Sequence, residues 1–347
     1  MLQIAHFYVK SENMGDLGSS QGIKLILRSI NPNINFVDYP IVRKKILRHE
    51  IRHLNKIFDA LVVGGGGLLY NRKEYAAKWY FNVSSKDYQR LKIPKCFWGI
   101  GINQEFSNQE KWIINNDVVK AIDKFSESTN AIGVRDRLTI DFFRKNISSS
   151  ARLVPCPSMF ILKDVVGNPE KKGIALNLTT RSVDIEKLMK ALNPVINYLR
   201  RKSYEIIFVP HVLREDKKIF PYLMDANVKI FVPSSPENLM EFYKNQQFLI
   251  GMRGHSLIYC TGANIPMIAL SYNRKCDGHM EMLGLEDYLV KHENIYNTEM
   301  IIEKIKLLLN NYTEIKSALL KKFEFFYKLN LEFAHDFLNN INISDGQ

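Results

Sequence analysis

Short apolar runs alternate with amphipathic stretches along almost the whole of this sequence. Runs at 4–9, 60–63, 96–102, 131–134 and 153–155 predict strands, and the segments 19–30, 41–58, 111–125 and 137–145 between them predict helices. A second series predicts strands at 174–178, 206–209, 228–232, 248–251 and 267–272, with helices at 185–200, 216–223, 236–244 and 257–262. Strand runs this uniformly apolar are covered on both faces, and strand–helix alternation places them in parallel sheets. At 347 residues the chain is long for one domain and ample for two of about 150 each. Segment 163–172, KDVVGNPEKK, gathers turn residues and charge between the two series, and is read as the boundary. The expected fold class is α/β: two Rossmann-like doubly wound parallel-sheet domains, 1–165 and 166–298, facing a cleft, with a helical tail at 299–347. In such sheets ligands bind beyond the carboxyl ends of the strands, so the residues just after each strand matter most.

Charge narrows the partners. Lys+Arg number 48 against 36 Asp+Glu, a formal charge of +12, which favours nucleic acid, a phosphorylated substrate or an acidic membrane face. Nucleic acid is the weakest of these, because the basic residues are not interleaved with aromatic stacking positions in any recognisable module. No run of 18 apolar residues occurs, so no bilayer span is expected. The first residues, MLQIAH, lack the basic start and apolar core of a signal peptide. Cys96, Cys156, Cys260 and Cys276 form no C-x-x-C pair, and read as buried free thiols of a reducing, cytoplasmic compartment.

Four segments after predicted strands carry candidate chemistry. Gly64-Gly65-Gly66-Gly67 would let backbone approach a ligand, or would simply make a tight turn. It is neither a dinucleotide fingerprint nor a Walker A loop. Met252-Arg253-Gly254-His255-Ser256 opens a helix whose start suits phosphate or carboxylate. Arg253 brings a planar bidentate donor and His255 a group that titrates near neutrality. Lys275 follows after one helix and one strand, a spacing that lets it face the same cleft as His255. The plainer reading has His255 capping its helix and Lys275 in solvent. Asn13-Met14-Gly15-Asp16 is an acceptor-binding turn or an Asx-type helix cap. Val134-Arg135-Asp136 places Arg135 within reach of the cleft, or makes an ordinary exposed ion pair.

Segment 41–58 holds two further signals. His49-Glu50-Ile51-Arg52-His53 matches the H-E-x-x-H zinc motif. Lys56 and Asp59 stand where the longer motif needs glycine and histidine, and Glu74 lies beyond an intervening strand. No metal site is therefore expected. The same helix divides into an apolar half (Val42, Ile46, Leu47, Ile51, Leu54, Ile57, Phe58) and a basic half (Lys44, Lys45, Arg48, Arg52, Lys56). The basic half is a solvated face, or a peripheral contact with anionic lipid or a lipid-linked diphosphate at the inner face of the membrane.

In order, an N-x-G-D turn at Asn13–Asp16, a strand entering glycines (DALVVGGGG), a strand ending V-R-D and the block FLIGMRGHSLIYCTGANIPMIALSYNRKCDGHMEMLGL at 248–285 resemble the polysaccharide pyruvyl transferase family. The last block is the specific one, with R-x-H and then Tyr-x-x-Lys; Gly254 departs from the bulky apolar residue common there. The resemblance implies a GT-B-like architecture and transfer of pyruvyl from phosphoenolpyruvate to sugar hydroxyls, as a ketal, with release of phosphate. It implies no metal or organic cofactor, and a glycan acceptor, free or lipid-diphosphate-linked. By motif position it implies donor binding by Arg135, Arg253, His255 and Lys275. His255 is the expected proton-transfer residue and Asp16 the expected base, with Asp136 and Glu215 as alternatives. Asn13, Gly64, Gly65 and Gly66 complete the expected substrate-binding set. Two rival readings share the fold class: a glycosyltransferase using a nucleotide sugar, and a non-catalytic binder of phosphoglycan.

Overall fold

The computed structural model describes residues 1–41, 45–71, 75, 79–103, 114–162 and 173–344. The expected 163–172 boundary lies outside the described residues. The first half runs β1 (Leu2–Tyr8), α1 (Met14–Ile30), β2 (Ile34–Pro40), α2 (Arg48–Ile57), β3 (Ala60–Leu69), α3 (Ser85–Tyr88), β4 (Lys95–Ile102), α4 (Asn116–Ser126), β5 (Ala131–Val134), α5 (Arg137–Asn146) and β6 (Arg152–Leu153). The second runs β7 (Gly173–Asn177), α6 (Ile185–Arg201), β8 (Glu205–Phe208), α7 (Leu213–Asp216), α8 (Phe220–Asp225), β9 (Lys229–Ile230), α9 (Pro236–Lys244), β10 (Phe248–Gly251), α10 (Gly254–Ala263), β11 (Met267–Leu270), α11 (Arg274–Leu283) and β12 (Leu289–Val290). Helices α12 (Thr298–Asn310) and α13 (Tyr312–Ser344) close the chain.

Each half builds a six-stranded sheet, in the orders β2-β1-β3-β4-β5-β6 and β12-β11-β10-β7-β8-β9, and every ladder is parallel. The strand order reverses between β1 and β3 in one sheet and between β7 and β10 in the other. A crevice opens beyond the carboxyl ends at each reversal. These central strands are the most apolar: every residue of β4, β7, β10 and β11 is buried. The doubly wound α/β architecture read from the sequence is present.

Several local expectations differ. Gly64–Gly67 do not form a turn after the strand; they lie within β3, which continues to Leu69 beside β4 with a register shift. A Cβ on Gly64, at φ +153°, would sit 2.1 Å from the Trp98 carbonyl oxygen, so close strand packing explains the glycine there. The helix expected over 41–58 is described only as α2. Residues 45–47 are not helical, and the Glu50 carboxylate accepts the Leu47 N–H at 2.8 Å, which fixes the helix start. Val42 and Lys44 lie outside the described residues, as does the beginning of the helix expected at 111–125. Strand β2 and helix α11 were not expected. β2 is an edge strand with only Ile34 buried, and Asn35 and Asp38 interrupt its apolar run. α11 has a charged first turn that hides its apolar side, although Asn273 caps its start and Gly284, at φ +73°, its end.

The tail does not hang free. α13 returns across the molecule to the first sheet, where Trp98 Nε1 donates to Asn330 Oδ1 at 3.0 Å and Phe333 meets the Trp98 ring edge-on at 5.0 Å. Asn330 Nδ2 donates onward to the Pro155 carbonyl at 3.1 Å, so one buried amide joins the helix to both β4 and the end of the first domain. At the other end Tyr312 donates to the Gln247 carbonyl in the second domain at 3.0 Å. The helix thereby spans both halves and fixes the cleft between them.

Candidate active site

The two sets of strand ends face each other across a cleft of about 580 Å³. The first domain contributes Asn13, Asp16, Gly67, Asn103 and Arg135; the second contributes Arg181, His211, Glu215, Arg253, His255, Tyr272 and Lys275. Eight residues singled out in the sequence as candidates therefore line one space: Asn13, Asp16, Gly67, Arg135, Glu215, Arg253, His255 and Lys275. Gly64, Gly65 and Gly66 do not line it, although a Cβ on Gly66 would sit 3.2 Å from Asp16 Oδ1. They lie deeper in β3, and Gly67 is the glycine at the wall.

The start of α1 is docked directly on the second domain. Met14 N–H donates to the His211 carbonyl at 3.1 Å, and Tyr259 donates to the Met14 carbonyl at 3.0 Å. Between these bonds the His255 ring lies flat against Gly15, where a Cβ would come within 2.0 Å of Cγ and Nδ1. His255 Nε2 is buried without a hydrogen-bond partner, at the edge of the cleft. Burial, then the charges of Arg135 and Lys275, holds its pKa well below the ordinary value, so the imidazole is neutral. Gly15→Ala is expected to displace the ring or part α1 from α10. A displacement of about 1 Å at a reacting group costs on the order of 100-fold in turnover, so kcat should fall by that much while the circular dichroism spectrum is retained.

Cations surround this ring. Lys275, in the first turn of α11, reaches across the cleft so that Nζ donates to Asn103 Oδ1 at 3.3 Å. Arg135 is buried; its Nε meets Asp136 Oδ2 at 3.1 Å and Nη2 donates to the Ile102 carbonyl at 2.9 Å. Asp136 caps α5, accepting from Thr139 N–H at 2.8 Å and Thr139 Oγ1 at 2.6 Å. Its oxygens are thus engaged, which disfavours it as a base. Arg253 is engaged as well. Asp216, fully buried, takes Arg253 Nε at 3.2 Å and Nη2 more closely, together with the N–H groups of His211 and Val212 at 2.9 and 3.0 Å. Glu215 accepts from Arg253 Nη2 at 3.0 Å and from Arg181 Nε at 2.8 Å. Burial opposes its ionisation, yet bonds and charge from the two arginines bring its pKa down to about 2. Asp16 differs. Burial raises its pKa against the pull of Lys275, and Oδ2 accepts only from Asn13 Nδ2 at 3.0 Å and Ser11 Oγ at 3.3 Å. Of the three carboxylates it is the one poised to take a proton. Asn13 also caps α1 through Gly15 N–H at 3.1 Å, so the cap and the cleft-wall readings describe the same residue.

Asn103, Arg181, His211 and Asp216 did not stand out in the sequence as parts of a site. Each follows a strand, and that position was the available signal. The zinc motif finds no support in geometry: His49 and His53 are exposed on α2, and no group of three or more His, Cys, Asp or Glu side chains able to hold a metal occurs among the described residues. Glu74 lies outside them. All four cysteines are buried and free. No described helix is long and apolar enough to cross a membrane.

A model of the polysaccharide pyruvyl transferase family matches residues 13–274, well over half of the chain. No curated protein matches the sequence significantly. Solved structures with the same fold are GT-B glycosyltransferases and epimerases. The S. aureus MnaA–UDP structure is 12% identical with a TM-score of 0.59, over 92% of this chain and 90% of its own. Neisseria meningitidis UDP-GlcNAc 2-epimerase bound to UDP-GlcNAc is 12% identical with a TM-score of 0.56, over 92% and 94%. A ugt transferase from Siraitia grosvenorii in complex with UDP is 10% identical with a TM-score of 0.55, over 98% and 100%.

Proposed function

Because the chain belongs to the polysaccharide pyruvyl transferase family, and is therefore an enzyme of pyruvyl transfer, we propose that its donor is phosphoenolpyruvate and its product a pyruvate ketal on a sugar of a polysaccharide or its lipid-linked precursor. The observation that carries this reading is the neutral, unpartnered ring of His255 at a helix start, set between Arg135 and Lys275. A small donor with a carboxylate and a phosphate needs two cationic partners and a group able to move a proton, with no metal or organic cofactor.

In this mechanism Asp16 takes the proton of the attacking hydroxyl as its oxygen bonds to C2. The C2–C3 double bond takes up a proton at C3, becoming a methyl group. The C2–phosphate bond then breaks through an oxocarbenium-like transition state. The second hydroxyl closes the ketal at C2, and its proton leaves with the phosphate. The donor's negative charge offsets Arg135 and Lys275, so that His255 can take up the proton Asp16 removed from the hydroxyl and deliver it to C3, which leaves both groups as they began. Lys275 steadies charge on the departing phosphate. Arg253 shapes the start of α10 and presents its outer edge to the donor.

The direct test is acceptor-dependent phosphate release from phosphoenolpyruvate, with the matching mass increment on the glycan. Release of a nucleotide from a nucleotide sugar instead would establish the glycosyltransferase reading, and saturable glycan binding without turnover the binder reading. His255→Gln, which keeps shape and one polar atom but cannot carry the proton, is expected to lower kcat by about 100- to 10,000-fold with a smaller change in donor KM. Full activity in that variant would remove His255 from the mechanism.

A further inference from the structure

We propose that the exposed face of α2 docks on an anionic lipid bilayer and so seats the cleft at a membrane surface. Arg48, Arg52 and Lys56 recur every four residues along α2 and are all exposed, while Ile51 and Leu54 on the opposite side are buried in the core beneath. Lys45 and Lys92 are exposed beside them; the Asn55 side chain, which accepts Lys92 N–H at 2.8 Å and donates to the Arg90 carbonyl at 2.8 Å, ties the two segments together.

The nearby carboxylates, Glu50, Asp59 and Asp87, are outnumbered by the exposed cations Lys45, Arg48, Arg52, Lys56 and Lys92, and each is held in local bonds. Glu50 caps the helix through Leu47 N–H, Asp59 accepts Gln3 N–H at 2.7 Å, and Asp87 is bonded to Ser84 and Arg90. Two apolar side chains flank the basic row, Leu47 at 44% exposed and Ile57 at 46%, which is the mixture an interfacial helix presents to headgroups. The core has already taken the helix's apolar side, so the contact is superficial and electrostatic rather than inserted.

The face also adjoins the cleft. Ile46 N–H donates to the Asn82 carbonyl at 3.1 Å, and Tyr80, two residues earlier, lines the cleft wall. A bilayer held by α2 therefore lies beside the first-domain side of the opening.

The full chain is tested by co-sedimentation with vesicles of phosphatidylcholine containing a quarter phosphatidylglycerol, against pure phosphatidylcholine. Binding to the anionic vesicles only, reversed by raising the salt, is expected. Each cation near such a surface contributes about fivefold in partitioning, so Arg48→Glu/Arg52→Glu/Lys56→Glu should weaken binding by about 100-fold or more. Lys306→Glu/Lys321→Glu/Lys328→Glu, the same change of net charge on exposed positions of α12 and α13, should leave most of the binding intact. An equal loss in both variants would reduce the effect to overall charge and overturn the proposal. So would a wild-type chain that ignores anionic vesicles, or one that binds DNA of matched charge but no vesicle. None of the six positions lies in the catalytic cleft, so phosphate release with a soluble acceptor should be unchanged in both variants, which separates this result from any failure of the donor assignment.

Discussion

Arg253→Met is expected to destabilise the protein by about 3–5 kcal/mol and to remove nearly all activity. The size of the first effect follows from Asp216, which has no exposed surface and receives two contacts from the Arg253 guanidinium. Methionine fills much of the volume but leaves a buried carboxylate with only the His211 and Val212 N–H groups. Breaking one side of a buried pair costs far more than the pair contributes, because the surviving charge is stranded. Lysine should not substitute well, since the site uses Nε and Nη2 together and an ammonium cannot reproduce that fork. The second effect has a separate origin: with Arg253 gone, the start of α10 that carries His255 loses its anchor on the segment after β8. A second change, Asp216→Asn, separates the two. The double variant Arg253→Met/Asp216→Asn should regain a good part of the denaturation midpoint, because the stranded charge has been removed. Turnover should stay down by about 1,000-fold, a loss of about 4 kcal/mol in transition-state stabilisation. Equal recovery of stability and activity would make Arg253 merely structural.

The arrangement around Arg253 also shows where sequence reading stops. The Arg-x-His pair, Lys275 and the strands that present them are legible because they are local: an apolar run, then a helix start, then one strand–helix crossover. Asp216 lies 37 residues from Arg253 and follows a different strand, so nothing local marks it as the partner. The glycines of β3 are a middle case. Their number signals a close approach, but at Gly64 the approaching group is the Trp98 carbonyl of β4, while Gly66 faces the Asp16 carboxylate and Gly67 faces Asn103 and Arg135; only the sheet register decides which glycine meets backbone and which the cleft. Gly15 is similar, since the ring that needs its missing side chain comes from the other domain. The H-E-x-x-H match shows the converse. Spacing four apart on a helix does align His49 and His53, but α2 points that line to solvent because Ile51 and Leu54 take the core side. Strand β2 is hard to read because it is an edge strand, and Asn35 and Asp38 break the run of Ile34, Phe36, Val37 and Tyr39.

Stability is expected to fall steeply as the pH drops from about 6.5 toward 4, by about 6 kcal/mol at pH 5 from three histidines and further through His255, whose pKa burial also lowers. Three histidines outside the proposed chemistry are buried and uncharged. His6 Nε2 bonds the Gly64 carbonyl at 2.8 Å, His211 Nε2 meets Tyr243 Oη at 2.7 Å, and His279 Nε2 meets Thr261 Oγ1 at 2.9 Å. Burial is the main cause in each case, and it lowers their pKa values to about 4, about 3 and about 4 respectively. The unfolded chain takes up these protons near 6.5 while the folded chain refuses them. The native state is therefore fully favoured above 6.5 and loses about 2 kcal/mol per histidine by pH 5. Glu215, held at about 2, adds to the loss only below the ordinary carboxylate range. Asp16 and Asp277, whose pKa values burial raises, work in the opposite direction as they protonate. Urea unfolding at pH 7.5, 6.0 and 5.0 measures the slope directly. His6→Gln/His279→Gln should flatten it by about half while lowering stability at pH 7.5. A midpoint that does not move between pH 7.5 and 5.0 in the wild-type chain would mean that these rings gain protons without unfolding. Activity profiles would need the same control, because a loss of turnover below pH 6 can then report the three structural histidines rather than His255.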